Sequence, residues 1–214
     1  MQPPLLARFG LPAAIAAAAI TGFVAYRSLG PDTPPPPAVS APVAGLPALR
    51  PVFSLEDATG RMRSITEWDG RALVVNFWAT WCPPCRREIP LLNELQREHA
   101  ADGVQVIGVA VDFRDDVRSY LEQTPVEYPV LIGEQAGLDV MRAFGMETAG
   151  FPFTVFTDRK GVIVAVFVGE LHRPQAQAIL ATVRDVDAGR LTAMAARTRI
   201  EQQLAALKAS PGES

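Results

Sequence analysis

The chain has 214 residues, 49% hydrophobic and 20% charged, with a formal net charge of −3. Both signs are interspersed and no long Lys/Arg block occurs, which argues against a nucleic-acid-binding surface. Only two cysteines are present, fewer than a disulfide-stapled secreted fold would carry.

From Phe9 to Tyr26 no residue is charged. As a helix this run would reach about 27 Å, close to the thickness of a bilayer core. Residues 9–26 therefore read as a membrane anchor within an N-terminal segment 1–29. A cleaved signal peptide is the rival reading. It needs small residues after a short apolar core, and Phe23-Val24-Ala25 fits that poorly. A buried soluble helix is the third reading. Arg8 before the run and Arg27 after it give only a weak orientation bias. Residues 30–51 contain Pro34-Pro35-Pro36-Pro37 among small residues. Such a linker builds no core, favours polyproline II and could hold a domain up to about 65 Å from the membrane. About 160 residues remain, enough for one domain with a sizeable core. They divide into a globular domain over 52–189 and a C-terminal helical extension over 190–214.

The globular part opens with apolar alternation on either side of Glu56-Asp57-Ala58-Thr59-Gly60-Arg61, which predicts a short hairpin. After a turn at Asp69-Gly70-Arg71, the run from Leu73 to Trp78 predicts a buried strand. A helical pattern follows from Arg86, with Ile89, Leu92 and Leu95 as a stripe to face a sheet and Pro90 as an expected kink. Further strands are expected at Val104–Val111, Val130–Ile132, Phe153–Phe156 and Ile163–Val168. Helices are expected at 114–123, Leu138–Phe144 (stopping at Gly145), Pro174–Asp187 and roughly 191–208. The last carries Ile200, Leu204 and Leu207 as a partial stripe, compatible with packing on the domain, with a partner, or with a marginal surface helix. Strands alternating with helices, then a hairpin and a final helix, give an α/β class: a central mixed sheet flanked by helices.

The two cysteines stand together as Cys82-Pro83-Pro84-Cys85, where the strand hands over to the helix. Proline is tolerated in a first helical turn, so Cys82 falls at the positive end of the helix, where a thiolate is favoured. A zinc site would need further ligands, and only His99 and His172 supply other nitrogen donors of that strength. Both histidines read as surface residues, and no metal site is assigned. Redox cycling of the pair is the preferred reading, with Cys82 as the more exposed attacker and Cys85 resolving the mixed disulfide. Glu88, one turn beyond Cys85, could exchange protons with the pair; otherwise it is an exposed carboxylate beside Arg86 and Arg87. Pro152, entering a strand from Phe151, marks a constrained turn with a cis bond as one option, or an ordinary trans proline at a sheet edge.

The block Asn76-Phe77-Trp78-Ala79-Thr80-Trp81-Cys82-Pro83-Pro84-Cys85-Arg86-Arg87-Glu88-Ile89-Pro90, with Gly150-Phe151-Pro152-Phe153-Thr154 behind it, resembles the thioredoxin superfamily and within it the TlpA/ResA-like branch. The similarity runs from about Val52 to Asp187. It implies a thioredoxin-like fold with an N-terminal hairpin and an inserted helix–strand element over 113–149. It also implies that Pro152 is cis and packs beside the active disulfide. Trp81, Pro83, Pro84, Phe151 and Pro152 then border a substrate groove, and Glu88 works near the active site. Asn76 stands where thioredoxin has a buried acid, so that proton route is absent. Phe151 and Phe153 would make the groove more apolar than in many members.

The expected activity is thiol–disulfide exchange in the bacterial cell envelope, probing client proteins through Cys82 and Cys85. Reduction of client disulfides, in cytochrome c maturation or metal-site assembly, is the leading form. A disulfide-forming oxidase is the nearest variant, and a copper(I) metallochaperone using both thiolates is the reading from another class. No cofactor is expected beyond the redox-active Cys82–Cys85 disulfide. The expected partners are a client protein with a disulfide or dithiol and a membrane-embedded thiol electron donor. The expected location is the inner membrane, with the domain on the periplasmic side.

Overall fold

A computed structural model describes residues 47–146 and 150–209. Residues 9–26, read as the anchor, lie outside these. Among the described residues no helix is long and apolar enough to cross a membrane.

The hairpin forms as expected. Strand β1 (Ser54–Asp57) pairs antiparallel with β2 (Met62–Ser64). Its turn is tied by Asp57, whose Oδ1 accepts from the Thr59 hydroxyl and amide at 2.6 and 2.9 Å. A single 3-10 turn at Ile65–Trp68, not foreseen from the sequence, follows β2. It is closed by a capping box between Ser64 and Glu67, and it buries Ile65 and Trp68.

Next come β3 (Ala72–Trp78), α1 (Pro83–His99), β4 (Val104–Ala110), α2 (Arg114–Gln123), β5 (Val130–Ile132) and α3 (Gln135–Ala143). The chain continues through β6 (Phe153–Thr157), β7 (Ile163–Val168), α4 (Arg173–Asp187) and α5 (Ala193–Ala209). Helix α1 starts at Pro83, three residues before the point where the sequence pattern becomes helical, because the two prolines occupy its first turn. It runs through Pro90 without a break in the helical assignment.

The seven strands form one sheet in the order β2-β1-β5-β4-β3-β6-β7. Strands β3, β4 and β5 are parallel neighbours, while β1, β6 and β7 join antiparallel. The inserted segment thus supplies α2, α3 and a strand that separates β1 from β4. Every residue of β3 and β4 is buried, as expected for strands covered on both faces. Alternation then splits the core in two. Val74, Trp78, Val106 and Ala110 pack with Ile89, Leu92 and Leu95 of α1 and with Ile179 and Val183 of α4. Leu73, Val75, Phe77, Ile107 and Val109 pack on the opposite face with Val140 and Met141 of α3. Phe77 and Phe153 stack there at 4.3 Å. Phe153 is therefore a core residue and adds nothing to the groove, contrary to the sequence expectation. Helix α5 lies on the first face, burying Ala196, Ile200 and Leu204 and leaving Leu207 37% exposed.

Candidate active site

Strand β3 carries the chain to the C-terminal edge of the parallel strands and α1 carries it back. The turn between them is pinned from the loop just past β4: Asp112 Oδ2 accepts from the Thr80 amide at 2.9 Å and its hydroxyl at 2.6 Å. Asp112 is buried. Nothing in the pattern of the preceding strand distinguished it from an ordinary loop acid.

Cys82 is the N-cap residue of α1, with extended backbone, and Pro83 and Pro84 fill the first turn. Its Sγ accepts from the Cys85 amide at 3.3 Å. No acidic residue lies in that first turn, so nothing there opposes the helix dipole, worth roughly half a positive charge at this end. The two sulfurs are joined as a disulfide. Cys82 is 3% exposed and Cys85 0%. Both cysteines are buried, so exposure does not separate the expected attacker from the expected resolver.

The sequence-derived groove residues fall into two groups. Trp81 is 65% exposed and meets the half-buried Phe151 edge-on, ring centroids 5.7 Å apart. Pro83 is exposed and Pro84 half-buried beside them. The Phe151–Pro152 peptide is cis. Pro152 is buried, and its carbonyl accepts from the Gly169 amide at 2.8 Å. Phe113, 59% exposed, directly follows the Asp112 that holds Thr80. It adds a second exposed aromatic at this end of the sheet that sequence reasoning did not single out.

Glu88 is 1% exposed, so the alternative of a solvated surface carboxylate is excluded. It shares the buried face of α1 with Cys85, one turn apart. Its Oε1 accepts from Asn76 Nδ2 at 2.7 Å and its Oε2 from the Leu171 amide at 2.7 Å. Asn76 Nδ2 also donates to Thr154 Oγ1 at 3.0 Å. Thr154 is the register partner of Asn76 on β6, two residues past Pro152. The carboxylate is thereby tied to the strand that carries the cis-proline. Burial pushes the Glu88 carboxyl from 4.5 up to about 7, against the two hydrogen bonds that favour its charged form. Glu170, paired with Arg87 at 2.5 Å, adds a smaller push in the same upward direction. The roles of Thr154 and the Leu171 amide were not identified from sequence, because Thr154 meets Asn76, and Leu171 meets Glu88, across large separations.

His99 is partly buried and His172 exposed. Among the described residues, no group of three or more His, Cys, Asp or Glu side chains is placed to hold a metal ion.

Comparison with known proteins supports the same chemistry. The redoxin family matches residues 44–183. The thiol-disulfide oxidoreductase ResA of Geobacillus thermodenitrificans is 30% identical over 135 residues, covering 63% of this chain and 75% of that protein. The thioredoxin-like protein YneN of Bacillus subtilis is 34% identical over 132 residues, covering 58% of this chain and 72% of that one. A crystal structure of a thioredoxin-family thiol:disulfide interchange protein from Chlorobium tepidum superposes with a TM-score of 0.53 at 32% identity, covering 70% of this chain and 97% of that one. With Cys82 capping the helix that holds Cys85, and with a cis Phe151–Pro152 peptide entering β6, the chain belongs to the redoxin family and, within the thioredoxin superfamily, is a ResA-like thiol–disulfide oxidoreductase.

Proposed function

We propose that this protein reduces disulfides of client proteins in the bacterial cell envelope, with Cys82 as nucleophile, Cys85 as resolving thiol and Glu88 as proton acceptor. The observation that carries the reading is the Cys82–Cys85 disulfide at the N-terminus of α1 with the Glu88 carboxyl buried one turn beyond Cys85, where burial pushes it up to about 7. A group that gives and takes a proton at working pH suits a two-thiol exchange.

In the reduced protein the Cys82 thiolate, favoured by the helix end, attacks one sulfur of a client disulfide. The client S–S bond breaks, a Cys82–client mixed disulfide forms, and one client thiolate leaves. The Cys85 thiol passes its proton to Glu88 and attacks Cys82 Sγ. The mixed disulfide breaks, the Cys82–Cys85 bond forms, and the second client sulfur leaves as thiolate. Glu88 returns its proton to a departing client thiolate, and solvent supplies the other. The client gains two electrons and the protein loses two. A membrane-embedded dithiol donor would restore the reduced pair. Trp81, Pro83, Pro84, Phe151 and Pro152 would form the surface against which the client lies. Cytochrome c maturation or metal-site assembly is the expected setting. An anchor over residues 9–26 and the proline-rich stretch of 30–51 would hold the domain on the periplasmic side of the inner membrane.

The test is trapping. Cys85→Ser should accumulate mixed disulfides with clients in envelope extracts, while Cys82→Ser should form none. Normal turnover by Cys85→Ser would overturn the attacker–resolver assignment. The reduction potential of the pair decides direction: a value well above that of the envelope would make the protein an oxidase. Stoichiometric copper(I) uptake without disulfide turnover would make it a metallochaperone.

A further inference from the structure

Phe113 occupies a position that local stability does not explain. It is the N-cap residue of α2, with extended backbone and no side-chain cap hydrogen bond. Ser, Thr, Asn and Asp are favoured there because their oxygens accept from the first free amides of the helix, and a phenyl ring has no such acceptor. Nor is the ring buried in compensation: Phe113 is 59% exposed. Its backbone is nevertheless fixed. The Phe113 amide donates to Asp112 Oδ1 at 2.9 Å, and its carbonyl accepts from the Val117 amide at 3.1 Å.

Strand register places this residue at the active site. Trp78 and Ala110 are partners in the parallel pair of β3 and β4. Trp81 lies three residues past the first and Phe113 three past the second. The two segments stay joined beyond the strand ends: the Val111 amide donates to the Trp78 carbonyl, and the Thr80 amide to Asp112 Oδ2, both at 2.9 Å. On the other side of β3, strand β6 runs antiparallel, so Phe151 and Pro152 lead into it at this same end. Three adjacent strand ends thus each bring an aromatic residue to the edge that holds the disulfide, in the order Phe113, Trp81, Phe151. Trp81 and Phe113 are the two exposed aromatic residues among the described residues. Trp81 already meets Phe151, so Phe113 continues the apolar surface to the side away from the cis-proline.

We propose that Phe113 is a specificity-determining residue, receiving a large apolar side chain of the client two positions from the cysteine that Cys82 attacks. This rests on the reading of Cys82 as the attacking sulfur. Neighbouring strands lie about 4.8 Å apart, so Phe113 stands about one strand spacing to the side of the turn that carries Cys82. An extended client segment lying across the strand ends advances about 3.4 Å per residue and turns alternate side chains to the same face. The residue two positions from the attacked cysteine therefore faces this protein as the cysteine does, roughly 7 Å to one side and within reach of the ring. The occupant is thus the client's own cysteine-bearing segment, on a surface continuous with that of Trp81 and Phe151. An aliphatic or aromatic side chain there takes the exposed ring out of water, and rigid aromatic residues are the usual anchors of such contacts.

The experiment uses the reduced full chain in detergent micelles and symmetric disulfides of short synthetic peptides, each with one cysteine among Ser and Gly. One peptide carries Leu two residues before the cysteine, one carries Leu two residues after it, and the reference carries Ser at both positions. Exchange is followed by alkylating the thiols at timed intervals. One Leu peptide should react about tenfold faster than the reference, the effect of covering a Leu side chain in part. In Phe113→Ser that ratio should fall below about threefold, and in Phe113→Leu it should stay near the wild-type value. Serine supplies the missing cap, so Phe113→Ser should melt no lower than the wild type, which separates a lost client contact from a damaged loop. Equal rates for all three peptides, a ratio that Phe113→Ser leaves unchanged, or a lower melting temperature overturns the proposal. Failure of the attacker reading shows separately, as peptide mixed disulfides that form in Cys82→Ser and not in Cys85→Ser.

Discussion

Glu88 makes folding stability depend on pH in the direction opposite to most carboxylates. Its carboxyl is raised from 4.5 in the unfolded chain to about 7 in the folded protein. Between these values the native state keeps a proton that the unfolded state has lost. Stability is therefore full below about 4.5 and declines as pH rises through 7, then levels off. The gap, at 1.36 kcal/mol per unit, corresponds to about 3 kcal/mol. The group is 1% exposed, so solvent screening takes little from this figure. Glu88→Gln removes the titration. Its amide also sets an N–H against either the Asn76 or the Leu171 donor, but that cost does not vary with pH. Urea unfolding of the oxidised wild type and variant from pH 4.5 to pH 8 isolates the effect. The carboxylates held below their usual range, Asp57, Glu67 and Asp185, contribute equally to both proteins. The variant should gain about 3 kcal/mol on the wild type across the interval. A difference that stays flat would refute a displaced Glu88 ionisation and remove the support for its role as proton acceptor.

Three other outcomes follow from named contacts. Asp112→Ala leaves the Thr80 amide and hydroxyl without their acceptor and should cost about 1–3 kcal/mol in urea unfolding. Gly108→Ala places a methyl 3.1 Å from Trp78 Nε1 and Tyr128 Cε2, so overpacking should cost about 1–3 kcal/mol, read as a lower melting temperature. Trp81→Ala removes a side chain 65% exposed and should leave stability within about 0.5 kcal/mol. It should raise KM for a protein disulfide while leaving the rate with a small aromatic disulfide unchanged, and equal losses with both substrates would rule out a docking role.

Much of this architecture was legible because the relevant signals are local. The Val-rich run of β3, the Ile89, Leu92 and Leu95 stripe, and the bounds of α2, β5 and β7 each follow from short-range pattern. The environment of Glu88 was not legible in the same way. Helical spacing puts it on the face of Cys85 and Leu92, but Arg86-Arg87-Glu88 reads as a solvated charge cluster. What makes it buried comes from elsewhere: Asn76 on β3, twelve residues away, and the Leu171 amide, eighty-three away. Phe153 was misplaced for a related reason. Position beside Pro152 suggested the groove, whereas strand alternation turns its ring onto Phe77 in the core. The place of β5 between β1 and β4 likewise depends on pairings that no local pattern encodes.

The helix end and the buried acid act on the pair in opposite senses, and this bears on when the protein can react. The N-terminus of α1 favours negative charge on Cys82. An ionised Glu88 one turn further on disfavours negative charge on either sulfur, through a medium of low polarity. Below neutrality Glu88 is protonated and leaves the thiolate unopposed; above it, on the proposed mechanism, Glu88 would take the Cys85 proton but raise the cost of the thiolate. The Asn76 and Leu171 donors hold the carboxylate within this balance: without them burial would keep it protonated to higher pH and the acceptor would be lost. Replacing Asn76 with Leu should thus move the alkaline onset of Cys85-dependent resolution upward, measured as decay of a preformed Cys82 mixed disulfide against pH, while leaving the acid-side attack by Cys82 in place. An onset that does not move would show that Asn76 supports the strand pairing alone.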